Sequence, residues 1–198
     1  MNAQAFVILL LILIIGGVGG YFGLNKVAGS FAEKAPIEIT IGSDTASVKV
    51  VQFFDYLDPA SRRIYRQLLD IRANDPDVQF VLRDLPKPGQ SEALARVGLA
   101  LKTQNLYKGI YNKFMRVNMA LLEQSADVIL AELKLDTNAV MEGMELSEVS
   151  AALNWNRFLA KAMGIEHAPA LVIDGTVINH DGYTSKELLD LIEKARKK

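Results

Sequence analysis

A chain of 198 residues with no cysteine can hold no disulfide, no thiolate metal site and no cysteine nucleophile. Its formal net charge of -1 gives no bulk attraction to nucleic acid or anionic lipid. Half of the residues are hydrophobic and 23% are charged, with a mean hydropathy of +0.15, which excludes a disordered polymer and suits one globular domain with an apolar appendage.

The appendage comes first. No charged side chain occurs between Met1 and Asn25, and the run from Ala5 to Leu24 is almost wholly apolar. A helix needs about 20 such residues to cross a bilayer core, so residues 1–25 are predicted to form one transmembrane helix. Its glycines suit a membrane helix better than one in water. A cleaved leader is the competing reading, with small residues near Val27-Ala28-Gly29 as its cleavage site. Leaders normally open on basic residues, and none is present here, which favours an uncleaved single-pass anchor. Lys26 and Lys34 follow the span and weakly favour a cytoplasmic position for that side. Residues 26–36 read as a linker.

The soluble part, 37–198, then unfolds in order. Ile37–Ile41 alternates and predicts a strand. After a turn at 42–45, Val48–Phe54 is apolar on both faces, as a central strand would be. A helix is predicted over 58–73, broken by Asp75-Pro76, and a third strand over 78–83. A strand–helix–strand crossover implies that the second and third strands pair in parallel. Helical stripes follow from about 91 to 163, with breaks near Asn105, Asn118 and Asp136. Asp174-Gly175 between apolar runs marks a hairpin, and Thr184 with Glu187 marks the N-cap of a terminal helix.

Three segments carry a family resemblance. Residues 50–63, with Phe53, Phe54, Asp58, Pro59, Ala60 and Ser61, resemble the place in DsbA-like proteins where a strand runs into the Cys-Pro-x-Cys helix. Residues 80–86 resemble the strand that follows, and 164–173, with Ala168 and Pro169, resemble the cis-proline loop and its strand. The resemblance spans 37 to 197 in order. It implies an α/β thioredoxin-like fold with an inserted α-helical domain at about 88–164, preceded here by the N-terminal helix. It also implies a cis Ala168–Pro169 bond and a periplasmic or other extracytoplasmic setting.

The resemblance stops at the chemistry. Asp58 and Ser61 stand where the family has its two cysteines, so no catalytic residue is carried over and no cofactor or metal is expected. Asp58 followed by Pro59 is a preferred helix start, so Asp58 is predicted to cap the helix by accepting N–H bonds from near Ala60 or Ser61. The function expected is a catalytically inactive, protein-binding one: a chaperone, adaptor or subunit of a membrane-associated complex. It would hold an extended peptide on the face formed by Asp58, Pro59, Ala60, Ser61, Ala168 and Pro169. The alternative is a glutathione-dependent transferase or isomerase of the kappa-class type using the Ser61 hydroxyl. Against it, the residue before Pro59 is an aspartate, whose charge would repel a thiolate. Asp55 and Tyr56 read as structural, Trp155 and Phe158 as core. His167, His180, Asp174 and Asp181 read as solvated loop residues.

Overall fold

The computed structural model describes residues 27–178 and 182–197. The predicted span at 1–25, together with His180 and Asp181, lies outside them. Among the described residues no helix is long and apolar enough to cross a membrane.

Five strands form one mixed sheet in the order β1-β3-β2-β4-β5. They are β1 (Thr40–Ile41), β2 (Val48–Phe54), β3 (Val78–Asp84), β4 (Ala170–Ile173) and β5 (Thr176–Ile178). β2 and β3 are parallel from Val48↔Val78 to Phe54↔Asp84, as the crossover through α1 (Pro59–Asn74) requires. β4 runs antiparallel to β2, with Val50 opposite Ile173 and Phe53 opposite Ala170. The predicted hairpin between β4 and β5 turns on Asp174 and Gly175, both at positive φ (49° and 68°), the backbone state that Asp-Gly adopts most readily.

The strand period of two sorts most strand side chains into two cores, while Phe54 and Leu82 join a third built largely from the insertion. Val48, Val50, Val78, Phe80, Leu171 and Ile173 face α1 and the terminal helix α8 (Ser185–Arg196). Val51, Phe53, Val81, Ala170 and Val172 face the other way, against Leu159, Ala160 and Met163 at the end of the insertion. The insertion resolves into α2 (Gln90–Ala100), α3 (Tyr107–Arg116), α4 (Met119–Leu122), α5 (Ala126–Glu132), α6 (Thr137–Met144) and α7 (Ser147–Ala162). Its three predicted breaks fall at Asn105, with φ 60°, at Asn118, the N-cap of α4, and at Asp136, the N-cap of α6. The Thr184–Glu187 capping box of α8 is formed.

Two expectations are corrected. Residues 37–39 form a 3-10 turn, and only Thr40 and Ile41 pair as a strand. Pro36 precedes the turn, Thr40 Oγ1 donates to the Ile37 carbonyl at 3.1 Å, and Lys108 from α3 donates to the same carbonyl at 3.2 Å. Tertiary partners therefore hold a segment whose alternation alone reads as a strand. The second correction concerns the linker. Residues 27–33 are helical, with Ala28 and Ala32 buried against the sheet. Ala28, Phe31, Ala32 and Ala35 recur at helical spacing, and all four belong to the core on that face.

Candidate functional site

The β2–α1 junction is built by backbone satisfaction. Asp58 is extended (φ -87°, ψ 119°) and its carboxylate accepts the Ser61 N–H at 2.6 Å, the predicted cap, with Pro59 opening the helix. Asp55 holds the approach: its carboxylate accepts the N–H groups of Leu57 at 2.9 Å and Lys87 at 3.0 Å. The turn before α1 is thus tied to the loop after β3.

The second half of the site comes from the other end of the insertion. The Ala168–Pro169 peptide bond is cis, as expected. β4 begins at Ala170, opposite Phe53, so this loop reaches the same end of the sheet as Asp58. Beside them lies a cleft of about 280 Å³ between the loop after β3 and the cis-proline loop, lined by Asp55, Pro86, Lys87, Arg157, His167 and Ala168 among others; Asp58, Pro59, Ala60 and Pro169 are not in its lining. The wall mixes cations, acids and an imidazole. Among the described residues no group of three or more His, Asp or Glu side chains is placed to hold a metal ion.

The six candidate residues divide by exposure. Pro59 is exposed and Asp58 and Ala60 are half-buried, so these three can meet a partner. Ala168 and Pro169 are buried, and Ala168 lines the cleft. Ser61 is fully buried, and its hydroxyl accepts the Asp55 N–H at 3.2 Å. It presents no hydroxyl at the surface, which removes both its direct contact with a partner and the group that the glutathione-dependent alternative needs.

Elsewhere in the interior lie buried polar groups, of which sequence reading singled out only Tyr56. Asp84, at the end of β3, is fully buried and accepts the Tyr107 hydroxyl at 2.5 Å through one oxygen, while its other oxygen has no hydrogen-bond partner. Burial raises its pKa to about 7, and the Asp55 carboxylate adds to the rise against the opposing Tyr107 bond. Burial also pushes Tyr56, Tyr107 and Tyr111 well above the usual phenol range. Tyr111 donates to Gln52 at 2.6 Å. Arg62, lowered by burial, donates to the carbonyls of Phe114 (2.7 Å) and Val117, pinning the insertion to α1. Arg83, brought down to about 10 by burial, donates to the carbonyls of Ala32 (2.8 Å) and Lys34 (3.1 Å). Trp155 and Phe158 are half-buried and stacked at 5.5 Å, with Phe31 edge-on to Trp155, so they cover the N-terminal helical segment rather than form a platform in the cleft.

A family model described as thioredoxin matches residues 34–194. No curated protein sequence matches the chain. Among solved structures, a thioredoxin-like oxidoreductase from Silicibacter pomeroyi is similar at 29% identity and a TM-score of 0.71, covering 80% of this chain and 92% of its own. The thiol-disulfide exchange protein alpha-DsbA2 from Wolbachia pipientis is similar at 18% identity and 0.69, covering 87% and 96%. A periplasmic thioredoxin-like protein from Salmonella enterica serovar Typhimurium is similar at 20% identity and 0.68, covering 86% and 97%. The last two likenesses establish the fold: an α/β, DsbA-like architecture, here without a cysteine.

Proposed function

Starting from a chain that belongs to the thioredoxin family, we propose that it is a membrane-anchored, non-redox member that binds an extended segment of a partner protein. It would act as a chaperone, adaptor or subunit of a membrane-associated complex. The observation that carries this reading is the juxtaposition of the two halves. A capped helix start and a cis-proline loop stand together at one end of β2, while the chain has no thiol to react with what they hold. Main-chain pairing beside a proline loop needs no side-chain chemistry, so such a surface can outlive a lost redox pair. In this reading Asp58, Pro59 and Ala60 are the accessible part of the binding surface, next to the buried Ala168 and Pro169.

Anchoring is supported by the uncharged run up to Asn25, and an extracytoplasmic setting by the Salmonella protein that is described as periplasmic. The test is site-specific photocrosslinking in native membranes. A photoreactive residue at Pro59 should trap a discrete partner, and the same residue at Arg72, on an exposed part of α1 away from the cleft, should not. Equal trapping at both positions, or none at Pro59, would overturn the proposal.

A further inference from the structure

We infer that the N-terminal segment does more than tether the domain: it orients it, with the β4–β5 turn toward the bilayer and the Asp55–Ala168 cleft facing away from it. This rests on the anchoring reading above and concerns the first residues that the structure describes. The apolar run ends at Leu24, and only Asn25 and Lys26 separate it from Val27. Three Cα steps reach at most about 11 Å, so Val27 stays at the membrane surface.

Val27 is not free to swing. It belongs to a helical segment, described from residue 27 to 33, that packs on the sheet through Ala28 and Ala32. At its start, Gly29 packs so closely on Gly175 that a Cβ would stand 3.0 Å from the Gly175 Cα. The Glu33 carboxyl lies close to the same turn, where burial and the Asp174 carboxylate raise its pKa. Along its length Ala28 and Ala32 are buried against Val51, Phe53 and Val172. At its far end the carbonyls of Phe31, Ala32 and Lys34 all accept from the buried Arg83 guanidinium. Three independent attachments, to a turn, a sheet face and a buried cation, fix its position on the domain.

The sheet then sets where everything else points. Ile173 lies opposite Val50 and Ala170 opposite Phe53, so the β4–β5 turn lies at the end where β2 begins and the cis-proline loop at the end where β2 finishes. Seven residues of strand separate the two ends, about 20 Å. The start of β2 and the end of α8 gather beside the tether. Ser30, Ala46, Ser47, Lys49, Asp174 and Ala195 line one depression there. Exposed Lys34, Lys194 and Lys197 lie at this end, but Glu33, Asp75, Asp77 and Glu193 alternate with them, so tether geometry and not net charge carries the inference.

The absence of cysteine makes the test clean, because every introduced thiol is the only one. Four full-length variants, Thr45→Cys and Lys197→Cys at the near end, and Lys87→Cys and His167→Cys at the far end, are labelled with a fluorophore. Each is placed in vesicles of phosphatidylcholine with phosphatidylglycerol that contain a lipid with a nitroxide on its headgroup. Retention after a carbonate wash is measured first, and release of the chain would overturn the anchoring reading. For a retained chain, quenching should be several-fold stronger at 45 and 197 than at 87 and 167. Equal quenching, or the reverse order, would overturn the orientation alone. A flexible glycine–serine insert between Lys26 and Val27 should erase the contrast without changing the fold. A contrast that survives the insert would show that some surface other than this tether sets the orientation, and would also overturn the inference.

Discussion

Where β2 begins, charged side chains pair with one another. Arg196 bonds Asp75 at 2.5 Å and approaches Asp77 at 3.4 Å, and Asp77 accepts the Ser47 N–H at 2.9 Å. Where β2 ends, the acids spend their oxygens on backbone or stay buried: Asp55 and Asp58 accept N–H groups, and Asp84 is enclosed with one oxygen unbonded. The first end is a surface ion network, whose pairs are solvent-screened and individually weak. The second is a scaffold in which each carboxylate fixes a turn or carries a desolvation cost. A family fold that has no thiols keeps this second end ordered through backbone capping rather than through chemistry.

The largest expected effect tests the attachment between the two ends. Arg83→Met should lower stability by about 3–5 kcal/mol, since it removes the buried guanidinium and leaves three carbonyls of the N-terminal segment without their donor. Thermal melting gives the loss, and limited proteolysis should show new cleavage between 27 and 36. Intact protection there with a small melting shift would show that the segment is held by its alanines alone.

Next comes the buried acid at the cleft end. The folded pKa of Asp84, about 7, lies above that of an unfolded aspartate, about 3.9. The folded state therefore binds the extra proton, and stability falls as pH rises from about 4 to 7. Asp84→Asn removes that dependence, and its amide can still accept from Tyr107. The variant should match the parent near pH 4 and exceed it at pH 8 by roughly 2–4 kcal/mol. Denaturant titrations at the two pH values decide this, and a parallel offset at both would reject the titration of Asp84 as the cause.

The cap is a smaller matter. Asp58→Ala should cost about 0.5–2 kcal/mol, and Asp58→Asn or Asp58→Ser less, because both cap well. If Asp58→Asn folds normally yet loses the photocrosslink at Pro59, the charge itself takes part in recognition. The smallest expected effect is none at all. Insulin reduction in the presence of the purified domain should stay at the no-protein rate, because no thiolate exists to attack a disulfide. Turnover above that control would break the contrast between an ordered site and a reactive one.

The sequence by itself determined the parts that depend on neighbours along the chain. Val48–Phe54 and Val78–Asp84 are legible as buried strands from their apolar runs, and Asp174-Gly175 as a turn from the backbone preference of those two residues. The caps at Asp58 and Thr184 are legible because a cap is a bond over two or three residues, whereas Asn118 and Asp136, which also cap helices, read only as breaks. Residues 27–33 were within reach as well, since Ala28, Phe31, Ala32 and Ala35 carry the helical period; their place beside an apolar run disguised them as tether. Only the tertiary structure decided the rest. The Ser61 hydroxyl is an available donor in sequence and a buried acceptor in the fold, because Asp55 turns its N–H onto it. Arg83 and Asp84 read as ordinary charges at a strand end. Their roles come from partners 51 and 23 residues away, Ala32 and Tyr107, which no local pattern announces. Burial is a property of the whole packed chain, and with it come the desolvation that shifts Asp84 and the enclosure that gives Arg83 three carbonyls to satisfy.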